Sequence, residues 1–159
     1  MSELRALTIR QPWAWATAHG GKTVENRTRP LAYRGRLAIH AGAAWSVQGG
    51  ADRAVQQAFA PYRPAAAAGR DVERAHDPAR FVAGAIVAVA ELVDVHLGAG
   101  CCRPWGHVRD LVTAAPVHHL LLDRIRPLAV PVTSPGRQGL WRPVPAVTAQ
   151  VLALLGEED

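Results

Sequence analysis

The chain contains a single lysine, only two cysteines and no long apolar run, and each scarcity removes possibilities. The cysteines, Cys101 and Cys102, are adjacent. Neighbouring cysteines rarely bridge each other, so no disulfide framework is implied. His96 and His107 flank them and raise a metal-dependent protein as an alternative. Zinc sites with two cysteines space them by about two to four residues, and direct adjacency does not match that pattern. The pair therefore reads as small buried apolar side chains, and neither a metal nor a cofactor is expected. No apolar stretch approaches the roughly 20 residues that span a bilayer. Residues 1–5 lack the apolar segment of a signal peptide, so a cytoplasmic location without membrane contact is expected. An apolar fraction of 49% with 19% charged residues fits a globular chain and argues against disorder. At 159 residues, one domain covering the whole chain is the expectation.

Acidic residues are also the minority. The net charge is +5 and the pI about 10.2, which permits a polyanionic partner. Arginine-rich compositions from GC-rich coding also raise the pI with no nucleic acid involved, so charge alone does not decide. Of 18 Lys and Arg side chains, only Lys22 is lysine. It lies in the densest cluster of functional side chains, Gly20-Gly21-Lys22-Thr23-Val24-Glu25-Asn26-Arg27. A primary amine can shed its proton when desolvated and act as base or nucleophile, whereas a guanidinium stays charged. The plainer reading is a solvated loop lysine.

Residues 4–9 read as a short strand, with Leu7 and Ile9 on one face and Thr8 and Arg10 on the other. Pro12 suits the first position of a helix running to His19, which Gly20 and Gly21 stop. Trp13 and Trp15 fall on opposite faces of that helix, so one enters a core and the other faces elsewhere, toward a cleft. Residues 22–27 are expected as a loop, 37–41 as a second strand and 44–59 as a helix. Residues 61–80, rich in Ala, Arg, Pro and Asp, read as a variable insertion. Residues 81–95 make the best strand, with Glu91 near its end for a nearby arginine. A loop at 97–107, a strand at 118–125, a broken edge strand at 127–132, a glycine-spaced loop at 136–143 and a helix at 145–155 complete the chain. Short strands among short helices without a βαβ repeat argue against a doubly wound sheet. The expectation is an α+β fold, a small curled β-barrel with peripheral helices.

Three blocks, Leu7-Thr8-Ile9-Arg10-Gln11-Pro12-Trp13-Ala14, the segment from Gly21 to Arg27, and Arg34-Gly35-Arg36-Leu37-Ala38-Ile39-His40-Ala41, resemble the ASCH domain of the PUA-like superfamily. Gly21, Lys22, Glu25 and Arg27 match its signature, and residues 84–94 and Gly139-Leu140-Trp141 follow in the same order. The resemblance covers nearly the whole chain except 61–80. It implies a PUA-like barrel with a cleft beside the first helix, and RNA or a nucleotide-like molecule as partner. Some members are hydrolases. One branch removes the acetyl group from N-acetylated cytidine with an essential lysine, and another has been described as a ribonuclease. The lysine carries over to Lys22. That branch's threonine, three residues on, does not, because Glu25 stands there and Thr23 adjoins the lysine.

The same atoms serve two chemistries. In a water-poor cleft, Lys22 and Glu25 are candidates for base or nucleophile, and the planar fork of Arg27 suits an oxyanion or phosphate. In a binding site, Arg10, Lys22, Arg27 and Arg34 would neutralise phosphates. Trp13, Trp15 or Trp141 would offer a stacking face, and Gln11 and Gln138 would read a base edge. RNA or nucleotide binding is the first expectation and hydrolysis of an acylated nucleoside the second. An internal ion pair of Glu25 with Arg27, and tryptophans spent on core packing, are compatible with either.

Overall fold

The computed structural model describes residues 3–62 and 81–157, so the expected insertion at 61–80 lies outside it apart from its first two residues. Strand β1 (Arg5–Gln11) sends Leu7 and Ile9 to one face, while Leu4 and Ala6 face the other side. With β2 (Val24–Arg27), β3 (Gly35–Trp45), β4 (Ala85–Leu97), β5 (His118–Thr133) and β6 (Leu140–Trp141) it forms one sheet in the order β2-β5-β4-β3-β1-β6. β1 runs parallel to β3, with Leu7 opposite Ile39, and the other pairs are antiparallel.

Each face of the sheet carries one helix. Helix α1 (Trp13–His19) sets Ala14 and Ala18 on Leu7, Ile9, Leu37, Ile39 and Leu120. On the opposite face, helix α4 (Pro145–Leu154) packs Val147 and Val151 against Ala38, Ile86, Val89 and Trp141. Small alanines let α1 lie close to the sheet, and each large aliphatic buried this way stabilises the fold by about 1.5–3 kcal/mol. A third cluster joins the outer side of α1 to helix α3 (Arg53–Phe59) through Trp15, Val24, Val55, Phe59, Phe81 and Trp105. Among the described residues no helix is long and apolar enough to cross a membrane.

The structure departs from the sequence expectation in four places. Among the described residues the sheet does not close: β2 and β6 are its edges, so the fold is α+β with a six-stranded sheet in which the closure of a barrel is not seen. Residues 24–27 are not loop but strand, paired with residues 118–121 of β5. The expected helix at 44–59 breaks into α2 (Val47–Ala51) and α3, because the Asp52 carboxylate accepts the backbone N–H groups of Ala54 and Val55 and restarts the helix. β5 runs unbroken through Pro127 and Pro131. That half pairs with β4 alone, since β2 begins opposite Leu121 and covers only residues 118–121, and an edge tolerates a missing N–H. Elsewhere Glu91 meets Arg124 at 3.3 Å, the partnership expected for the acid near the end of its strand.

His40 sits fully buried between the sheet and the segment preceding β6. Its Nε2 hydrogen bonds with the Ser134 carbonyl at 2.8 Å, while Nδ1 has no partner among the described residues. Burial pushes its pKa below 6.5. The folded protein thus holds His40 neutral, and the unfolded chain takes up a proton first as the pH falls. Its contribution is complete above pH 6.5 and declines below it, until the folded group titrates as well. Urea midpoints measured against pH should fall below pH 6.5 with a slope of up to about 1.4 kcal/mol per unit from this group. The His40→Leu chain should lose that part of the slope.

Candidate functional site

The turn after α1 decides where the lysine goes. Gly21 takes φ 75°, a left-handed conformation that a side chain disfavours, and the Lys22 N–H returns to the Ala16 carbonyl at 3.0 Å. This reversal carries the Lys22 side chain back under the helix, where only 1% of its surface is exposed. Its Nζ donates to the Val24 carbonyl and, at 2.7 Å, to Glu25 Oε2. The other carboxylate oxygen, Oε1, accepts from Arg27 Nε at 3.1 Å, and Arg27 Nη2 donates to the Thr8 carbonyl at 2.8 Å. Glu25 is therefore gripped from both ends. Burial alone would raise its carboxyl pKa, but the charges and hydrogen bonds of Lys22 and Arg27 outweigh that and hold it below 4.5.

This network forms the floor of a pocket of about 440 Å³, with Arg10 and Trp13 on its walls. Trp13 is fixed in orientation. Its indole N–H donates to Ser46 Oγ at 3.0 Å, and Ser46 also caps α2 by accepting the Gly49 N–H. Gly49 is required there, because an added Cβ would lie 2.8 Å from the indole ring. The Lys22 ammonium lies 5.6 Å from the centre of the same ring. The far wall comes from the loop between β4 and β5. His107 meets Trp13 edge to face at 5.9 Å and lies 3.7 Å from Asp52. Asp110 ties the rim by accepting the N–H groups of Val112 and Thr113. Asn26, on β2, clasps this loop to the sheet: its amide donates to the Trp105 carbonyl and accepts from the His107 N–H.

Of the residues singled out from the sequence, Arg10, Trp13, Lys22, Glu25 and Arg27 come together around this pocket. Gln11, Arg34, Gln138 and Trp141 do not. Gln11 is buried with both ends of its amide occupied, accepting from the Trp15 N–H and donating to the Val82 carbonyl. It locks α1 to β1. The exposed Arg34 turns back on the carbonyls of Leu31 and Tyr33. Gln138 is exposed on the loop before β6, away from the pocket lining. Trp141 is buried on the α4 side, donating to Thr8 Oγ1 at 3.1 Å. The two tryptophans of α1 divide their roles: Trp15 enters the third apolar cluster and Trp13 lines the pocket. Ser46, Asn26 and Asp110 were missed, because their partners lie far off in sequence or, for Asp110, in a turn without regular pattern.

The metal-type residues sort differently from the sequence grouping. His107 belongs to the pocket, whereas His96, Cys101 and Cys102 gather with His119 at the adjoining ends of β4 and β5. The cysteines are not buried apolar filler, since Cys101 is exposed and Cys102 half-exposed.

The ASCH domain family matches this chain over residues 7–110, which takes in every residue of the pocket floor. The chain belongs to the ASCH family. Its fold is similar to that of the ASCH protein of Zymomonas mobilis, at 15% identity and a TM-score of 0.56, with 96% of this chain and 95% of that one covered. Two variants of that protein, a tyrosine-to-phenylalanine and a serine-to-alanine form, superpose with TM-scores of 0.55 at 15% and 16% identity. They cover 96% of this ASCH chain and 99% and 96% of their own. At such identity the likeness concerns the fold. No curated protein sequence matches the chain.

The grip on Glu25 predicts an asymmetry. Glu25→Gln removes the anion that both cations face and leaves Lys22 buried without a counter-charge, a loss of about 3–5 kcal/mol. Lys22→Met leaves Glu25 still served by Arg27 and should cost clearly less, as urea denaturation of the two variants would show. Because the folded Glu25 pKa is depressed, its contribution is complete above pH 4.5 and is lost as the pH falls through the folded value. The acid limb of the stability curve should accordingly be shallower in Glu25→Gln.

Proposed function

We propose that the pocket binds a nucleotide unit, either an unpaired residue of RNA or a free nucleotide, without cleaving it. The observation that carries this reading is the oriented indole of Trp13 standing beside Arg10 and Arg27 over a floor whose Lys22–Glu25–Arg27 network keeps one positive charge in excess. A base stacks on the indole face, and the guanidinium groups meet the phosphate. Gln48, also on the wall, brings both a donor and an acceptor for a base edge. A volume of about 440 Å³ lies in the range of small-ligand sites. The ASCH family is RNA-binding in character, which agrees with these groups.

The network itself favours binding over chemistry. A nucleophilic lysine must reach its substrate, whereas Lys22 is 1% exposed and its Nζ is already engaged by the Val24 carbonyl and Glu25 Oε2. Glu25 is held as an anion with both oxygens engaged, which leaves it poorly placed to take a proton from water.

A fluorescein-labelled single-stranded RNA and an unlabelled mononucleotide competitor test the reading by fluorescence polarisation. The expected affinity falls with salt at a logarithmic slope of about −0.7 per phosphate contacted, hence about −0.7 for the one phosphate that Arg10 and Arg27 share. Trp13→Ala should weaken binding by about 1–3 kcal/mol, the usual value of one stacked base. Arg27→Ala should weaken it and flatten the salt slope. Gln11→Leu should lower stability by about 1–3 kcal/mol through its orphaned partners and leave affinity unchanged in the folded protein. Competition by the mononucleotide at matched affinity would identify a free nucleotide as sufficient. Release of acetate from N-acetylcytidine, abolished in Lys22→Ala, would replace binding with the hydrolase reading.

A further inference from the structure

Where β4 ends, His96 stands directly opposite His119 of β5 in the strand register. The loop that leaves β4 brings Cys101 and Cys102 back over this pair. One donor atom from each residue, two sulfurs and two nitrogens, lies within 4.8 Å of every other. The individual distances are closer still. Cys101 Sγ is 3.4 Å from His96 Nε2 and 3.5 Å from His119 Nδ1, and Cys102 Sγ is 3.6 Å from His96 Nε2. A tetrahedral zinc ion with Zn–S of about 2.3 Å and Zn–N of about 2.05 Å gives sulfur–nitrogen edges of about 3.6 Å. The three sulfur–nitrogen contacts match those edges, and the remaining donor pairs lie within 4.8 Å.

The groups behind the donors fit as well. The Asp94 carboxylate hydrogen bonds with His96 Nδ1 at 2.8 Å, and the His107 carbonyl with His119 Nε2 at 2.7 Å. Each imidazole is thus oriented by its far nitrogen and offers the near one, as metal-bound histidines do. His119 is fully buried, and glycines make room for it. A Cβ at Gly98 or Gly106 would lie 2.7 Å from its ring. Adjacent cysteines ordinarily project to opposite sides of an extended chain. Here Cys102 adopts φ 62°, and this left-handed turn departs from the alternation that would part the two sulfurs. The spacing argument against a metal therefore fails for a reason of backbone geometry that the sequence does not display.

We propose that His96, Cys101, Cys102 and His119 form a structural site for a zinc-class divalent cation with two sulfur and two nitrogen ligands. With four protein ligands the coordination is complete, so the ion holds structure and does not activate water. It ties the loop between β4 and β5 to the sheet at one point. That loop supplies His107 and Asp110 to the pocket, and the His119–His107 hydrogen bond links the two places directly. The site stands independently of what the pocket binds.

The full chain, purified under reducing conditions and loaded with zinc, is dialysed against metal-free buffer and measured by elemental mass spectrometry. About one zinc per chain is expected to remain. Cobalt loading should give the intense visible bands of tetrahedral cobalt together with near-ultraviolet thiolate-to-cobalt charge transfer. Cys101→Ser, a change at an exposed position, should weaken the charge-transfer band and let zinc escape on dialysis. Asp94→Ala, which removes only the support behind His96, should lower zinc affinity about 10- to 100-fold. Chelation should lower the melting temperature of the parent chain and leave Cys101→Ser unmoved. No retained zinc while both thiols titrate as free would overturn the proposal. So would a cobalt spectrum of octahedral form, or one that Cys101→Ser does not alter.

Discussion

The buried contact between Lys22 and Glu25 is the constraint around which this molecule is arranged. Taking an ammonium and a carboxylate out of water costs several kcal/mol each, and only close, well-directed partners repay it. The chain supplies them through three separate elements. The Gly21 turn aims the lysine inward, β2 presents Glu25 toward it, and Arg27 bridges from Glu25 to the Thr8 carbonyl of β1. β2 and β1 lie four positions apart in the sheet order, yet Arg27 joins them at 2.8 Å, so the sheet curls until these two strands approach. A pocket floor of this kind has its charges fixed in place by the fold itself.

The pocket walls depend on less regular structure. Trp13 is held by Ser46 and a glycine-lined space, and the opposite wall belongs to a long loop without strand or helix of its own. Such a loop stays in place only where its polar groups are satisfied. Asn26 satisfies two of its backbone groups, His119 Nε2 donates to a third, the His107 carbonyl, and Trp105 anchors it in the apolar cluster beside α1. The sulfur–nitrogen cluster at the end of β4 lies at the same junction. Pocket and cluster thus share one loop.

Much of this was legible in the residues. The alternation of Leu7 and Ile9 against Thr8 and Arg10 marked β1 and its faces. The opposed tryptophans of α1 announced one core residue and one cleft residue. The crowding of Lys22, Glu25 and Arg27 within six positions marked the floor. Gln11, Gln138, Arg34 and Trp141 were chosen by chemical type alone, and type does not reveal whether a side chain is already occupied. Gln11 has the donor and acceptor of a base reader, but both go to Trp15 and Val82. The continuity of β5 through two prolines was equally hidden, because it depends on which side of the strand lacks a neighbour.

By itself, then, the sequence determined the local periodicities, the family likeness and the identity of the charged cluster, since these reside in residue type and short spacing. Tertiary structure alone decided that β2 pairs with β5, that His119 and not His107 joins the two cysteines, and that Ser46 sets the angle of Trp13. Each of these joins residues through contacts across the sheet or between separate loops. Short-range patterns carry no information about such contacts, because the energy that selects them comes from burial and hydrogen bonding once the chain has closed on itself.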